Sequence, residues 1–246
     1  MNRRRFAGAL AGFAALPVLA ADESRRTRYY SFEKFRYKRT PQSDRVNDWL
    51  SKEYLPRLAK LHPGPSIALS ASIAPHVPET LLITGYSSID EFAAIRSKLA
   101  EDTPSGAEAP FDTQENSLIE AYEFSPEIAI SKHDPARYFE LRVYHAPGTA
   151  QLRALHDRFA GGEIKIFHKV GIHPILYGST LIGPNLPNLV YLIPFDTLAA
   201  RETAWNAFGA DPDWIKLSRD FTAKYGSVPT TSDLAIYRAA PFSPVS

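Results

Sequence analysis

Ile73-Ala74-Pro75-His76-Val77-Pro78-Glu79 returns later in the chain as Ile182-Gly183-Pro184-Asn185-Leu186-Pro187-Asn188. The offset is 109 residues (182 − 73), and the same offset aligns Pro65 with Pro174. Each copy runs into an apolar segment, Leu81-Leu82-Ile83 in the first and Val190-Tyr191-Leu192 in the second. The offset also aligns Tyr30 with Phe139, Phe32 with Leu141 and Ser88 with Thr197. Prolines and glycines punctuate chains at turns, so a turn that recurs with its flanking strands marks an internal duplication.

Working outward from the two turns gives the unit. In the first half, residues 28–38 read as an aromatic-rich strand. Residues 44–61 read as an amphipathic helix, with Val46, Trp49, Leu50, Tyr54, Leu58 and Leu61 at three- and four-residue spacing. His62-Pro63-Gly64-Pro65 stops it, and strands at 66–74 and 80–86 flank the turn. Ser88 and Glu91 form a capping box for a helix reaching 101. Residues 103–117 show no periodicity and suit a lid, a covering arm or an insertion; a strand follows at 118–124. The second half repeats the order: a strand at 137–145, a helix at 149–170 broken near Gly161-Gly162, strands at 174–182 and 189–195, a helix at 198–208, another from Asp211-Pro212 to Tyr225, and a strand at 234–239. Each half is β-α-β-β-α-β, the ferredoxin-like order. The fold expected is α+β, with two tandem repeats at 28–132 and 137–240. An open sheet with helices on one face must cover the other, so the two sheets are expected to pack on each other as a barrel-like body within one chain.

The chain has 246 residues, a net charge of +1 and no cysteine. Balanced charge argues against nucleic acid as the main partner. The lack of cysteine removes disulfides, thiolate nucleophiles and thiolate metal sites. Residues 1–21 read as an export signal: Arg3-Arg4-Arg5-Phe6, an alanine-rich apolar run, and small residues suiting cleavage after Ala20 or Ala21. The Arg-Arg-x-Phe core resembles a twin-arginine signal; an ordinary Sec signal with a basic start is the alternative and an uncleaved anchor a third, and a cleaved signal implies a periplasmic or extracellular protein with no membrane span. The fused repeats supply their own partner sheet, which suits a monomer and leaves a dimer open.

The second half resembles the NIPSNAP family. The resemblance rests on Glu140-Leu141-Arg142-Val143-Tyr144, on Pro187 to Tyr191, on Arg201 with Trp205, and on Phe208-Gly209-Ala210-Asp211-Pro212-Asp213-Trp214. It runs from Arg137 to about Ala239; the first half reads as a diverged copy, with Ser31, Glu33 and Phe35 in place of Glu140, Arg142 and Tyr144. The family implies a dimeric α/β-barrel fold. It implies no single chemistry, since the wider superfamily includes oxygenases, isomerases, haem-binding proteins and members without known activity.

Strand alternation puts Glu140, Arg142 and Tyr144 on one face and Leu141, Val143 and His145 on the other. The apolar pair is expected to face the helices and the polar three the space between the sheets, with Tyr177 and Tyr191 as wall residues. Either these side chains line a ligand cavity, or Glu140 and Arg142 form an ion pair that fixes how the sheets meet. His145, His156, His168 and His173 have no zinc-site spacing; His168 is the candidate acid/base or axial haem ligand. Trp205, Phe208, Trp214 and Phe221 read as core, and Asp211-Pro212-Asp213 as a helix start. Nothing matches a P-loop, a Rossmann fingerprint, a serine-hydrolase elbow or a zinc-protease helix. Two functions stay open: a protein holding a small, largely apolar ligand, or an interaction module whose barrel is filled by its own side chains. Cofactor-light oxygen or isomerase chemistry and haem binding enter only through the superfamily.

Overall fold

The computed structural model describes residues 26–101, 103–104 and 106–246. The export signal expected at 1–21 lies outside the described residues. Eight antiparallel strands form a closed barrel. The first half supplies β1 (Tyr29–Arg36), β2 (Ser66–Ile73), β3 (Glu79–Tyr86) and β4 (Thr113–Ala121). The second supplies β5 (Tyr138–His145), β6 (Leu176–Ile182), β7 (Asn188–Phe195) and β8 (Thr231–Ala239). The strand order is β1-β3-β2-β8-β5-β7-β6-β4, with β4 returning to β1. Each half is thus a four-stranded ferredoxin-like sheet.

The duplication is exact in register. Tyr29 pairs with Tyr86 and Arg36 with Glu79; 109 residues later Tyr138 pairs with Phe195 and His145 with Asn188. The halves do more than face each other: their edges hydrogen-bond. Strand β2 pairs with β8, and β4 with β6, so no strand of the barrel is left as an open edge. Gly178 on β6 allows the second seam to close. A Cβ there would stand 2.4 Å from the Glu120 carbonyl oxygen on β4.

The helices cover the outer face. They are α1 (Gln42–Trp49), α2 (Leu55–Leu61), α3 (Ile89–Ala100), α4 (Thr149–Arg158), α5 (Ile164–Lys169), α6 (Leu198–Ala210) and α7 (Pro212–Tyr225). One π turn joins α1 to α2 at Leu50–Tyr54, and another joins α4 to α5 at Phe159–Glu163. These turns also stand 109 residues apart (159 − 50). The expected break near Gly161-Gly162 falls inside the second, where Gly162 leaves helical backbone. The helix starts follow the sequence signals. Ser88 Oγ accepts from Glu91 N at 3.1 Å, and Thr197 Oγ1 from Ala200 N at 3.0 Å. Asp211 Oδ1 accepts from Asp213 N and Trp214 N. The reciprocal arm of the first box goes one residue earlier, Glu91 taking the Ser87 amide at 2.8 Å.

Two expectations are corrected. Strand β4 begins at Thr113 rather than 118 and ends at Ala121, so the irregular stretch is shorter than expected. Gln114-Glu115-Asn116-Ser117 has little strand preference of its own, but pairing with all of β1, from Arg36↔Thr113 to Tyr29↔Glu120, holds it extended. The facing of β5 is reversed. Phe139, Leu141 and Val143 point into the barrel, where they join Tyr30, Phe32, Leu69, Ile83, Leu192 and Tyr237 in one apolar core. Glu140, Arg142 and Tyr144 point out, under the helices. An eight-stranded barrel is just wide enough for side chains to fill, and this one is filled mainly by apolar residues, with Lys34, Arg36, Glu79 and Glu115 paired among themselves at one end. The polar three are therefore driven to the outer layer, where helices offer partners.

Candidate functional site

The five residues expected to form a site do converge, in the layer between the second sheet and its helices rather than between the sheets. Glu140 is 1% exposed. Arg142 and Arg201, the latter from α6, both donate to its carboxylate through Nε. Trp205 Nε1, one helical turn on, donates to Oε2 at 3.1 Å. Residues four apart share a helix face, so α6 presents both donors to one carboxylate. A buried carboxylate without such partners would cost several kcal/mol, roughly. The Arg142 guanidinium lies 3.7 Å from the Trp205 ring centroid, a cation–π contact.

Beyond Glu140 the network runs along aromatic hydroxyls. Arg142 Nη1 donates to Tyr144 OH at 3.1 Å, and Tyr191 OH donates to the same oxygen at 2.7 Å. Tyr144 thus accepts twice, and its own proton has no acceptor among the described residues; neither has Arg142 Nη2. A phenol has one proton to give and two lone pairs, so the chain of donors ends on an unspent O–H. Burial opposes the Arg142 charge, but Tyr191, Tyr144 and Glu140 more than compensate and raise its pKa. Tyr191 is pushed well above the usual phenol range by burial and by Tyr144. Tyr177 stacks on Tyr191 with ring centroids 6.0 Å apart, and its buried hydroxyl has no hydrogen-bond partner among the described residues.

The π turn adds an acid to this layer. Glu163 is buried and accepts from Arg158 Nε at 2.7 Å. Burial outweighs Arg158 and Arg142 and lifts its carboxyl to about 7. Arg158 also donates to the Val228 carbonyl at 3.2 Å and stands over the Phe221 ring at 4.6 Å.

The first half builds a polar layer at matching positions with different chemistry. Shifting by 109 turns Glu33, Tyr54 and Arg96 into Arg142, Glu163 and Trp205. Glu33 is 1% exposed and accepts from Arg96, from Tyr54 OH at 2.9 Å and from Gln114 Nε2 at 3.0 Å. Burial still prevails and raises its pKa. The carboxylate–arginine pair has moved relative to the second half. Glu33 lies two residues beyond Ser31, the match of Glu140, and Arg96 lies four beyond Phe92, the match of Arg201. Two strand residues advance about 6.6 Å and four helical residues about 6 Å. The ion pair has shifted as a unit along strand and helix.

His168 is not part of this network. It is exposed and stacks on exposed His173, with centroids 5.0 Å apart, and burial together with His173 lowers its pKa. A surface imidazole beside a second one does not fit an axial haem ligand, which needs a pocket for the macrocycle. His145 pairs with Asp233 at 3.0 Å, and His156 with Glu123 at 2.9 Å. Among the described residues no group of three or more His, Asp or Glu is placed to hold a metal, and no helix is long and apolar enough to cross a membrane. Sequence reading missed Glu163, Arg158 and Arg96 as site residues, and took Trp205 for plain core. The four-residue spacing of Arg201 and Trp205 was the visible signal.

The family model NIPSNAP matches residues 139–244, the half that holds this network. No curated protein sequence matches the chain. Among solved structures the chain is similar to an anthrone oxidase-like protein, with a TM-score of 0.56 at 13% identity over 88% of this chain and 93% of that one. It is also similar to a proposed monooxygenase from Fusobacterium nucleatum, with a TM-score of 0.56 at 11% identity over 87% and 92%. A NIPSNAP family protein of unknown function from Agrobacterium tumefaciens aligns at 21% identity over 48% of this chain and all of that one, with a TM-score of 0.41. The barrel is therefore of the dimeric α/β type, closed within one chain, and its second half matches the NIPSNAP family model.

Proposed function

We infer that this protein binds a small, largely apolar molecule carrying an acceptor oxygen, held in the sheet–helix layer of the NIPSNAP half. The observation that carries the reading is the hydrogen-bond ledger around Tyr144. Its O–H, Arg142 Nη2 and the Tyr177 hydroxyl are unspent within one aromatic layer. Native proteins pair their buried polar groups; the buried Tyr177 hydroxyl is left unpaired among the described residues, and with the remaining donors of part-exposed Arg142 and of Tyr144 it suits a ligand carbonyl or oxyanion. Phe159, Tyr177 and Tyr191 would supply the apolar wall, and Glu140 would hold Arg142 in place. The likeness to the anthrone oxidase-like protein and the proposed monooxygenase, at 13% and 11% identity, brings no reaction with it.

The test is recovery of the protein from its native compartment, followed by native mass spectrometry and absorbance of whatever it retains. A small molecule should accompany the wild type and be lost from Arg142→Ala and Tyr144→Phe. Unchanged retention in Arg142→Ala would refute this site. Export is part of the same proposal, supported by Arg3-Arg4-Arg5-Phe6 and the apolar run after it. A mature N-terminus at Ala21 or Asp22 in the exported fraction would agree with it, and an intact Met1 would not.

A second reading has its own support. The barrel interior is packed with apolar side chains and Arg142 is engaged by Glu140, as an interaction module with a filled barrel would have it. Failure to retain any small molecule, with a stable protein partner recovered instead, would favour that reading.

A further inference from the structure

The two ends of the barrel differ. Near the start of β1, Tyr30 OH donates to the Pro126 carbonyl, and Ile128 and Val245 join the apolar core. At the other end a cleft of about 220 Å³ opens between the two proline turns, lined by Pro75 and His76 on one side and Pro184 and Asn185 on the other. Its two walls come from opposite halves and are chemically unlike. The first half contributes Lys34, Arg36, Glu79 and Glu115; the second contributes Leu141, Val143, Leu234, Ala235 and Tyr237, with Asp233 at the rim. The 109 offset makes Val143 the match of Lys34, so the duplication has diverged here into a charged wall facing an apolar one.

The charged wall has donors to spare. Glu79 is buried and both its oxygens are taken, by Arg36 Nε at 3.0 Å and by Tyr237 OH at 2.9 Å. Glu115 is likewise taken at both, by Lys34 at 3.3 Å and Arg36 Nη2 at 2.7 Å. Burial opposes the Glu115 charge, but Lys34 and Arg36 hold its carboxyl below the usual range. Asp233, at the rim, is paired with His145 and open to water. Among the described residues, what remains is donor capacity: two protons of the Lys34 ammonium and the Nη1 group of Arg36.

We propose that this mouth is a second ligand site, separate from the sheet–helix layer, and that it takes a small monocarboxylate with an apolar body. The carboxylate meets Lys34 and Arg36, and the body lies on Leu141, Val143 and Ala235. A cavity of about 150 Å³ accommodates benzene, so 220 Å³ suits a molecule of benzoate size. A single negative charge is favoured over a phosphate dianion because Glu79 and Glu115 are close by, and each added charge meets their repulsion.

Calorimetric titration of the full chain at low ionic strength tests this, with benzoate as the probe and benzylamine, benzyl alcohol and phenyl phosphate as competitors of different charge. Benzoate should bind, and each competitor should bind at least tenfold more weakly. Lys34→Met should weaken benzoate at least tenfold, Lys34→Arg should retain it, and Val143→Trp should fill the cleft and abolish it. Lys216→Met, on the exposed face of α7, should leave benzoate binding unchanged. Absence of benzoate binding, equal binding of benzyl alcohol, benzylamine or phenyl phosphate, or indifference to Lys34→Met would each overturn the proposal. If Val143→Trp does not fold, the Met and Arg variants at Lys34 decide it.

Discussion

Replacing Glu163 with glutamine should remove part of the pH dependence of folding. The carboxyl is buried at the end of the π turn, and among the described residues only Arg158 hydrogen-bonds it, with Arg142 acting at longer range. Burial wins, lifting it from 4.5 to about 7. Between those values the folded chain holds a proton that the unfolded chain has released. Stability from this group is therefore complete below pH 4.5 and is lost as pH rises through 7. Each tenfold in proton affinity is worth about 1.4 kcal/mol, so the loss comes to about 3 kcal/mol. Glutamine keeps an oxygen for Arg158 Nε and has no proton to release. Urea unfolding followed by tryptophan fluorescence at about pH 4.5 and pH 8 gives the comparison. The drop between the two conditions should be about 3 kcal/mol smaller in Glu163→Gln, a difference in midpoint of about 1 M or more for a urea slope of 1–3 kcal/mol/M. Glu33, also raised by burial, contributes equally to both proteins and cancels. Equal drops in wild type and variant would show that Glu163 titrates as it does in the unfolded chain, and the argument from burial would fail.

Three further outcomes follow from the packing. Gly178→Ala sets a Cβ against the Glu120 carbonyl across the β4–β6 seam; neither backbone can yield without opening the barrel, so a cost of about 1–3 kcal/mol or more is expected, read as a fall in melting temperature of about 2–4 °C per kcal/mol. Leu141→Ala removes a side chain from the filled interior and should cost about 2–5 kcal/mol in chemical unfolding; a loss well below that would mean the interior is not packed as described. Ser88→Ala deletes the oxygen that caps α3 and should cost about 1 kcal/mol, with faster hydrogen exchange confined to the first turn of α3. Exchange that rises equally across the sheet would contradict the cap as its cause.

Much of the architecture was legible because it depends on short-range signals. The repeated Pro-x-x-Pro turns, the capping residues Ser88, Thr197 and Asp211, and alternation along the strands are local features, and local sterics and hydrogen bonds place them. The duplication then carried the fold: two like units with bare sheets have few ways to bury them. The start of β4 was not legible, because Gln114 to Ser117 has no strand preference and is held by β1. The polar layer was legible as a list, Glu140, Arg142, Tyr144, Tyr177 and Tyr191, but not as a place.

Alternation in the sequence separates two faces of β5 without saying which is inside. That choice depends on the volume of the closed barrel, which admits Phe139 and Leu141 against Phe32 and Leu192, while its inward charges Arg36, Glu79 and Glu115 already pair with one another at the mouth. It depends equally on α6, whose Arg201 and Trp205 reach Glu140 only once the helix is laid across the sheet. The chain alone determined that two ferredoxin-like units would share one core. The tertiary structure decided which side chains that core would exclude, because exclusion is set by the space and partners that the other half and the helices provide.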